Sequence, residues 1–270
     1  MISKNQLKYV RQLEMTKKFR QSEGLFVAEG PKVVGDLLKR YQPKAIFATS
    51  AWLSSHLSIP DSHLSIQEVT DDELRRLSLQ QHPQQVLALF PLPASQMSAQ
   101  TKDGCYRSDA GMINSKALSL ALDDVQDPGN LGTIIRIADW FGIETVVCSP
   151  DTADAYAPKV VQATMGSLAR VKIVYQDLAE LIDALPTDFP VYGTLLDGRD
   201  IYAETLTPHG LIVMGNEGNG ISPEIARKIT RRLLIPNYPA DRPTADSLNV
   251  AIATAITCAE FRRRASVKHS

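Results

Sequence analysis

Leu211-Ile212-Val213-Met214-Gly215-Asn216-Glu217-Gly218-Asn219-Gly220 is the stretch on which the fold turns. Four apolar residues in a row, too short for a helix and stopped by glycine, read as a strand buried on both faces. The glycine-rich bend that follows carries one carboxylate, Glu217. Downstream lie a second short apolar run, Leu233-Leu234-Ile235-Pro236, and then Asp246-Ser247-Leu248-Asn249-Val250, where a long Ala/Ile-rich helix starts. Two strand ends and one helix start, each dressed with small or polar residues, form a ligand crevice in an open α/β sheet.

Working outward, the second half alternates strands (117–122, 145–148, 171–175, 191–196) with helical patterns (131–141, 157–165). That alternation predicts a mostly parallel sheet covered on both faces. Ser222-Pro223-Glu224 reads as a helix start, with a capping hydroxyl, proline at the first helical position and an acid in the first turn. Between 91 and 116 the apolar pattern lapses into a Pro-, Ser- and Gly-rich linker. Residues 1–90 read as a separate α/β domain: a helix over 1–20, strands at 25–30, 45–48 and 86–90, and helices opening at Pro31 and Asp71. The prediction is an α/β chain with domains at 1–90 and 117–270 joined by a linker at 91–116.

The chain has 270 residues, 44% of them hydrophobic and 22% charged, which is enough apolar mass for a real core. No apolar run approaches the roughly 20 residues a membrane helix needs, and the basic N-terminus lacks the apolar block of a signal peptide. Cys105, Cys148 and Cys258 are odd in number and widely spaced. They suit neither a disulfide framework nor a metal cluster, so a reducing cytoplasm is expected, with no metal and no membrane. The net charge is −1, but the first 44 residues hold ten basic against four acidic residues, a net of +6. Arg262-Arg263-Arg264, with Lys268, forms a second basic cluster. Segregated positive charge attracts phosphates, and a solvated helix face explains it equally well.

Three segments could carry chemistry. Asp127-Pro128-Gly129-Asn130 follows a strand end, with Asn130 suited to cap the next helix. Arg136, six residues on among isoleucines, needs either an internal carboxylate or a bound phosphate. The bend at Gly215 to Gly220 matches neither GxGxxG nor a phosphate loop. A carboxylate between glycines suits a cationic or polar ligand, while a plain tight turn would need the same glycines. Ser247 and Asn249 put a hydroxyl and an amide at a helix head. Simple capping would account for them, and would leave Leu248 as a core residue.

The order NxxxxxR, then GNEGxG, then IP…SLNVA resembles the three signature motifs of the SpoU/TrmH family of RNA ribose 2′-O-methyltransferases, in the SPOUT class. The match spans about residues 117–261. Gly24 to Gly30 (GLFVAEG) and the closing VLALF resemble, more loosely, that family's L30e-like substrate-binding domain. The resemblance implies a trefoil-knotted α/β domain, a homodimer and S-adenosyl-L-methionine as methyl donor. It implies donor contacts, mainly through backbone, at Thr194, Leu195, Gly215, Ile235 and Leu248. Arg136 matches the family's catalytic arginine, and Asn130, Glu217, Ser247 and Asn249 match other motif positions.

The implied reaction is attack of a ribose 2′-hydroxyl on the sulfonium methyl, with ribosomal RNA the expected substrate. A guanidinium is too weak an acid to serve as a base. Arg136 is therefore expected to hold the target through a phosphate and to stabilise charge developing on oxygen. Asn130 and Asn249 are assigned to active-site hydrogen bonding, and Glu217 to orienting Arg136 or the neighbouring loop. The chain departs from the family pattern in a longer segment at 237–246 and in Ala251, where serine is frequent. A non-catalytic RNA-binding factor that retains the fold is the alternative. A nicotinamide-dependent dehydrogenase is disfavoured by the missing GxGxxG.

Overall fold

The computed structural model describes residues 1–55, 65–93, 113–239, 242 and 245–267, with side chains as far as 264. Most of the segment read as a linker, with Cys105, lies outside the described residues, as do four positions of 237–246 and Lys268. The chain divides into two compact units. One holds the described residues of Met1–Ser98 together with Asp154–Ala169, and the other the described residues of Ala99–Ala153 and Arg170–Ser270.

In the first unit, α1 (Lys4–Met15) opens on a capping box between Ser3 and Gln6. The single helix expected over 1–20 is broken at Thr16, whose backbone is extended, and α2 (Lys17–Glu23) follows. The break lets buried Arg20 fold back on α1. Its Nη1 donates to the carbonyls of Leu13 (2.7 Å) and Glu14 (3.0 Å), which the helix end leaves without partners. Its Nη2 pairs with Asp154 at 2.5 Å.

The unit continues with β1 (Leu25–Glu29), α3 (Pro31–Leu38), β2 (Ala45–Ala48), α4 (Ser50–Ser55), β3 (Ser65–Glu68), α5 (Asp71–Leu77) and β4 (Val86–Pro91). The sheet order is β1-β4-β2-β3, with β4 antiparallel to β1 and β2, and β3 parallel to β2. Helix α7 (Pro158–Ala163), although it comes well after β4 in the chain, packs on β1 of this unit. Beside it, Tyr156 meets Phe26 with ring centroids 5.0 Å apart.

The second unit holds β5 (Leu118–Leu122), α6 (Pro128–Trp140), β6 (Thr145–Cys148), β7 (Lys172–Tyr175), α8 (Leu178–Asp183), β8 (Val191–Asp200), β9 (Gly210–Met214), α9 (Pro223–Lys228), β10 (Arg231–Leu234) and α10 (Val250–Val267). Its six strands run in the order β10-β8-β9-β5-β6-β7, and every pairing is parallel. β5, β6 and β9 are fully buried or nearly so, which explains their uninterrupted apolar sequences. Chain order reverses between β5 and β9, which pair directly with Leu122 opposite Met214. The loops leaving these two strand ends therefore flank a crevice. Helix α10 packs along α6, and Arg262 Nε donates to the Phe141 carbonyl (2.7 Å) just past the end of α6.

Candidate active site

The loop after β9 is held by its first side chain. Asn216 Oδ1 accepts from the N–H groups of Gly218 (2.8 Å) and Asn219 (3.0 Å), while its Nδ2 donates to the Asp124 carbonyl (2.7 Å). The backbones of Asn216 and Gly220 close the loop with two further bonds, at 2.9 and 3.0 Å. The close approach dictates the glycine at its base. A Cβ on Gly215 would lie 2.2 Å from both Gly220 C and Ile221 N. Gly220 itself sits at φ +68°, where other residues are strained.

Glu217, half-buried in this loop, accepts from Asn130 Nδ2 at 3.0 Å. Asn130 Oδ1 in turn accepts from Asn249 Nδ2 at 2.9 Å. Asn249 Oδ1 accepts from the N–H groups of Ala251 (3.0 Å) and Ile252 (3.3 Å), which caps α10. One chain of amides thus runs from the head of α10 through α6 to the carboxylate. Its polarity is fixed at both ends, because a carboxylate can only accept and capped N–H groups can only donate.

One expectation about a helix start is corrected here, and another is narrowed. Asp127, not Asn130, caps α6: its Oδ1 accepts from Asn130 N at 2.7 Å, because Pro128 takes the first helical position. Asn130 is thereby left free to bridge the loops. At α10 the simple capping considered for Ser247 and Asn249 holds for Asn249 alone.

Beside the amide chain lies a pocket of about 520 Å³. Thr194, Leu195, Gly215, Ile235 and Leu248 all line it, as do Glu217 and Ser247. Leu248 is 51% exposed, so the reading of it as a core residue does not hold. The wall from β8 forms because β10 pairs with Tyr192 and Gly193 and then skips to Arg199 and Asp200. Residues 194–198 bow away from the ladder. Gly198 returns the chain against Leu233, whose backbone would come within 2.4 Å of a Cβ there. Among the described residues the charged side chains on the pocket wall are Asp197, Glu217 and Asp246, all carboxylates.

Asn130, Asn249 and Arg136 are not on this wall. Arg136 stands on the exposed face of α6, along the stripe shared with Thr133 and Trp140. Among the described residues it makes no hydrogen bond or ion pair, so the internal carboxylate partner considered above is not there. It lies less than two turns of α6 beyond Asn130, roughly 9 Å along the axis.

The sequence reading overlooked Asn216, Asp123 and Asp197. Asn216 was signalled by its place two residues ahead of Gly218, where an Asx side chain folds back on its own turn. Asp123 Oδ2 accepts from Ser222 N at 2.7 Å and so ties the β5 end to the start of α9. Asp197 forms a bidentate pair with Arg232 (2.9 Å) across the bowed segment, and nothing local announced it. Among the described residues no cluster of His, Cys, Asp or Glu could hold a metal ion, and no helix is long and apolar enough to cross a membrane.

The SpoU rRNA Methylase family profile matches residues 117–259, and the MRM3-like substrate binding domain profile matches residues 4–88. RlmP of Bacillus subtilis, a 23S rRNA (guanosine(2553)-2′-O)-methyltransferase, is 31% identical over 252 residues, or 92% of each chain. A solved structure from Porphyromonas gingivalis, assigned to the TrmH family of RNA methyltransferases, is 41% identical with a TM-score of 0.81. It covers 98% of this chain and 99% of that one. An AdoMet-bound rRNA methyltransferase from Sinorhizobium meliloti is 29% identical with a TM-score of 0.79, over 98% of this chain and 96% of its own. With its second unit matched almost throughout and its length shared with such relatives, the chain belongs to the SpoU rRNA methylase family.

Proposed function

We propose that this protein transfers the methyl group of S-adenosylmethionine to a ribose 2′-hydroxyl of ribosomal RNA, acting in the cytoplasm as a homodimer with a trefoil-knotted second unit. One observation carries the reading. Three segments distant in sequence, after β5, after β9 and before α10, join in the chain Asn249–Asn130–Glu217 at the edge of a pocket whose charged wall residues are all acidic. Such a pocket suits a cationic ligand and repels a polyphosphate. At about 520 Å³ it is of the size that holds a cofactor.

The donor, when bound, supplies an electrophilic methyl on a positively charged sulfur. Thr194, Leu195, Gly215, Ile235 and Leu248 would hold it, with backbone doing most of the recognition where Gly215 permits close approach. Glu217, kept in place by Asn130, fixes the glycine loop. Ser247 is assigned to the active site through its place on the pocket wall. Arg136, exposed and without a side-chain partner among the described residues, is available to a phosphate of the substrate. There it orients the ribose and offsets negative charge growing on the attacking oxygen. Support for a dimer comes from large apolar side chains left in the open: Trp140 is 84% exposed, Leu196 77% and Ile252 53%.

The test is methyl transfer from labelled S-adenosylmethionine to an unmodified large-subunit rRNA transcript, with the methylated position located by its resistance to alkaline cleavage. A single 2′-O-methyl mark that needs Arg136 supports the proposal. Absence of any ribose methylation, with rRNA still bound, would leave a non-catalytic RNA-binding factor in its place.

A further inference from the structure

We infer that the cleft between α1 and α5 of the first unit is a docking site for the phosphate backbone of the RNA substrate, gripped by Lys8, Arg11 and Arg76. The inference rests on the RNA reading above and deepens it. Helix α1 carries Lys4, Lys8 and Arg11 at spacings of four and three, which puts them on one stripe. Arg76 comes from the last turn of α5. The cleft holds about 570 Å³ and is lined by three cations, Lys8, Arg11 and Arg76, and among the described residues no acid lies on its wall.

The geometry is built rather than incidental. Arg11 Nη2 donates to the Arg76 carbonyl at 3.3 Å, which ties the two helices together and holds one guanidinium at the rim. Among the described residues the side chains of Lys8 and Arg76 make no hydrogen bond or ion pair, so their charge is available. Nearby acids do not cancel it. Asp72 pairs with Arg75 at 2.7 Å, and Glu73 is taken up by the Thr70 capping box and the N–H of Ile2. Glu14, on the same helix, faces the interior beside Glu29, where burial pushes its carboxyl up to about 8. Leu7 and exposed Met15 add an apolar surface beside the cations, and Gln12 a neutral donor and acceptor. Three unpartnered or half-partnered cations over an aliphatic floor suit a phosphodiester with its sugar face turned inward.

The test uses the full chain and an unmodified large-subunit rRNA transcript. Lys8→Ala, Arg11→Ala and Arg76→Ala are combined in one variant. Lys8→Glu with Arg76→Glu forms a second, which keeps the Arg11 tether. RNA affinity is measured against salt, along with kcat and KM for methylation, S-adenosylhomocysteine affinity and thermal unfolding. The slope of log K against log salt should fall by about one per phosphate-contacting residue, or roughly 2 to 3 in the triple variant. RNA affinity at 100 mM salt should drop about tenfold or more. The kcat at saturating RNA and the S-adenosylhomocysteine affinity should stay as in wild type. An unchanged salt slope and KM in a folded variant, with wild type active, would overturn the docking site while sparing the enzyme assignment. Failure of wild type to bind or methylate any rRNA would strike the functional reading itself, and this inference with it.

Discussion

The amide chain makes a quantitative prediction. Asn130→Asp replaces the Nδ2 that donates to Glu217 at 3.0 Å with a carboxylate oxygen. The lost bond to a charged acceptor costs about 1.5 kcal/mol, at the low end of the usual range because Glu217 is half-buried. Two unit charges 3 Å apart add about 1.4 kcal/mol at the dielectric of water, and twice that at half the dielectric. The substitution should therefore cost about 3 to 4 kcal/mol. Asn130→Ala avoids the repulsion but loses the bond from Asn249 as well as the one to Glu217, so it should cost about 2 to 3 kcal/mol. Glu217→Gln alone should be mild, since the amide oxygen it introduces can still accept. Combining Asn130→Asp with Glu217→Gln restores a bond of reversed polarity and removes the repulsion, while Asn249 Nδ2 keeps an acceptor. The coupling between the two positions should exceed about 2 kcal/mol, well outside the few tenths seen for independent sites. Thermal unfolding and S-adenosylhomocysteine titration read it twice, because Glu217 lines the pocket proposed for the donor. Additivity within about 0.5 kcal/mol would show that Asn130 and Glu217 do not meet as described.

Arg136→Ala should leave S-adenosylhomocysteine affinity near wild type, because Arg136 is off the pocket wall, and should lower single-turnover methyl transfer by roughly 10²-fold. Near-wild-type turnover would remove it from the reaction. Gly215→Ala forces a Cβ to 2.2 Å from the backbone of Gly220 and Ile221, and backbone cannot step aside cheaply. Donor binding should be lost with about 1 to 3 kcal/mol of stability, and calorimetric titration against thermal unfolding separates the two. Burial, with Glu29 beside it, raises the Glu14 carboxyl from 4.5 to about 8. It therefore stays protonated in the fold while ionising in the unfolded chain. That stabilisation is complete below pH 4.5 and drains away as pH climbs toward 8. Glu14→Gln should flatten the fall in Tm between pH 5 and 8, with a ceiling of roughly 5 kcal/mol on the effect. An unchanged pH profile would disprove the shift.

Legibility followed locality. The strands of the second unit were readable because burial on both faces leaves unbroken apolar runs such as Leu211 to Met214, and Pro223 with Glu224 announced the start of α9, although the Ser222 hydroxyl expected to cap it makes no capping bond. What failed to show depended on choices between neighbours or on distant partners. Asp127 and Asn130 both qualify as caps, and only proline's preference for the first helical position decides between them. Thr16 breaks the N-terminal helix because Arg20 gains the α1 carbonyls and Asp154, a residue 134 positions away. β3, reading Ser-Ile-Gln-Glu on a sheet edge, has no apolar alternation to detect. The packing of Asp154–Ala169 with the first unit leaves no mark on local pattern at all.

The bowed segment of β8 shows how topology and small residues together make a site. In a parallel sheet a strand buried on both sides gives a crevice little beyond its last residue, as β9 gives Met214, since its ladder is complete and its faces are covered. Here β8 pairs with β9 only from Val191 to Gly193, and β10 skips from Gly193 to Arg199. Thr194 to Asp197 are thereby freed from ladder duty at the level where the β9 loop opens. Returning to the ladder demands a backbone crossing so close that Gly198 meets Leu233 itself, just as Gly215 meets Gly220 and Ile221 on the opposite wall. The bow turns Asp197 onto the wall of the pocket, and Arg232 on β10 clamps it there. Side chains on both walls are thus placed by backbone contacts that admit no Cβ, which is why the positions with least chemistry of their own are the ones that define the pocket.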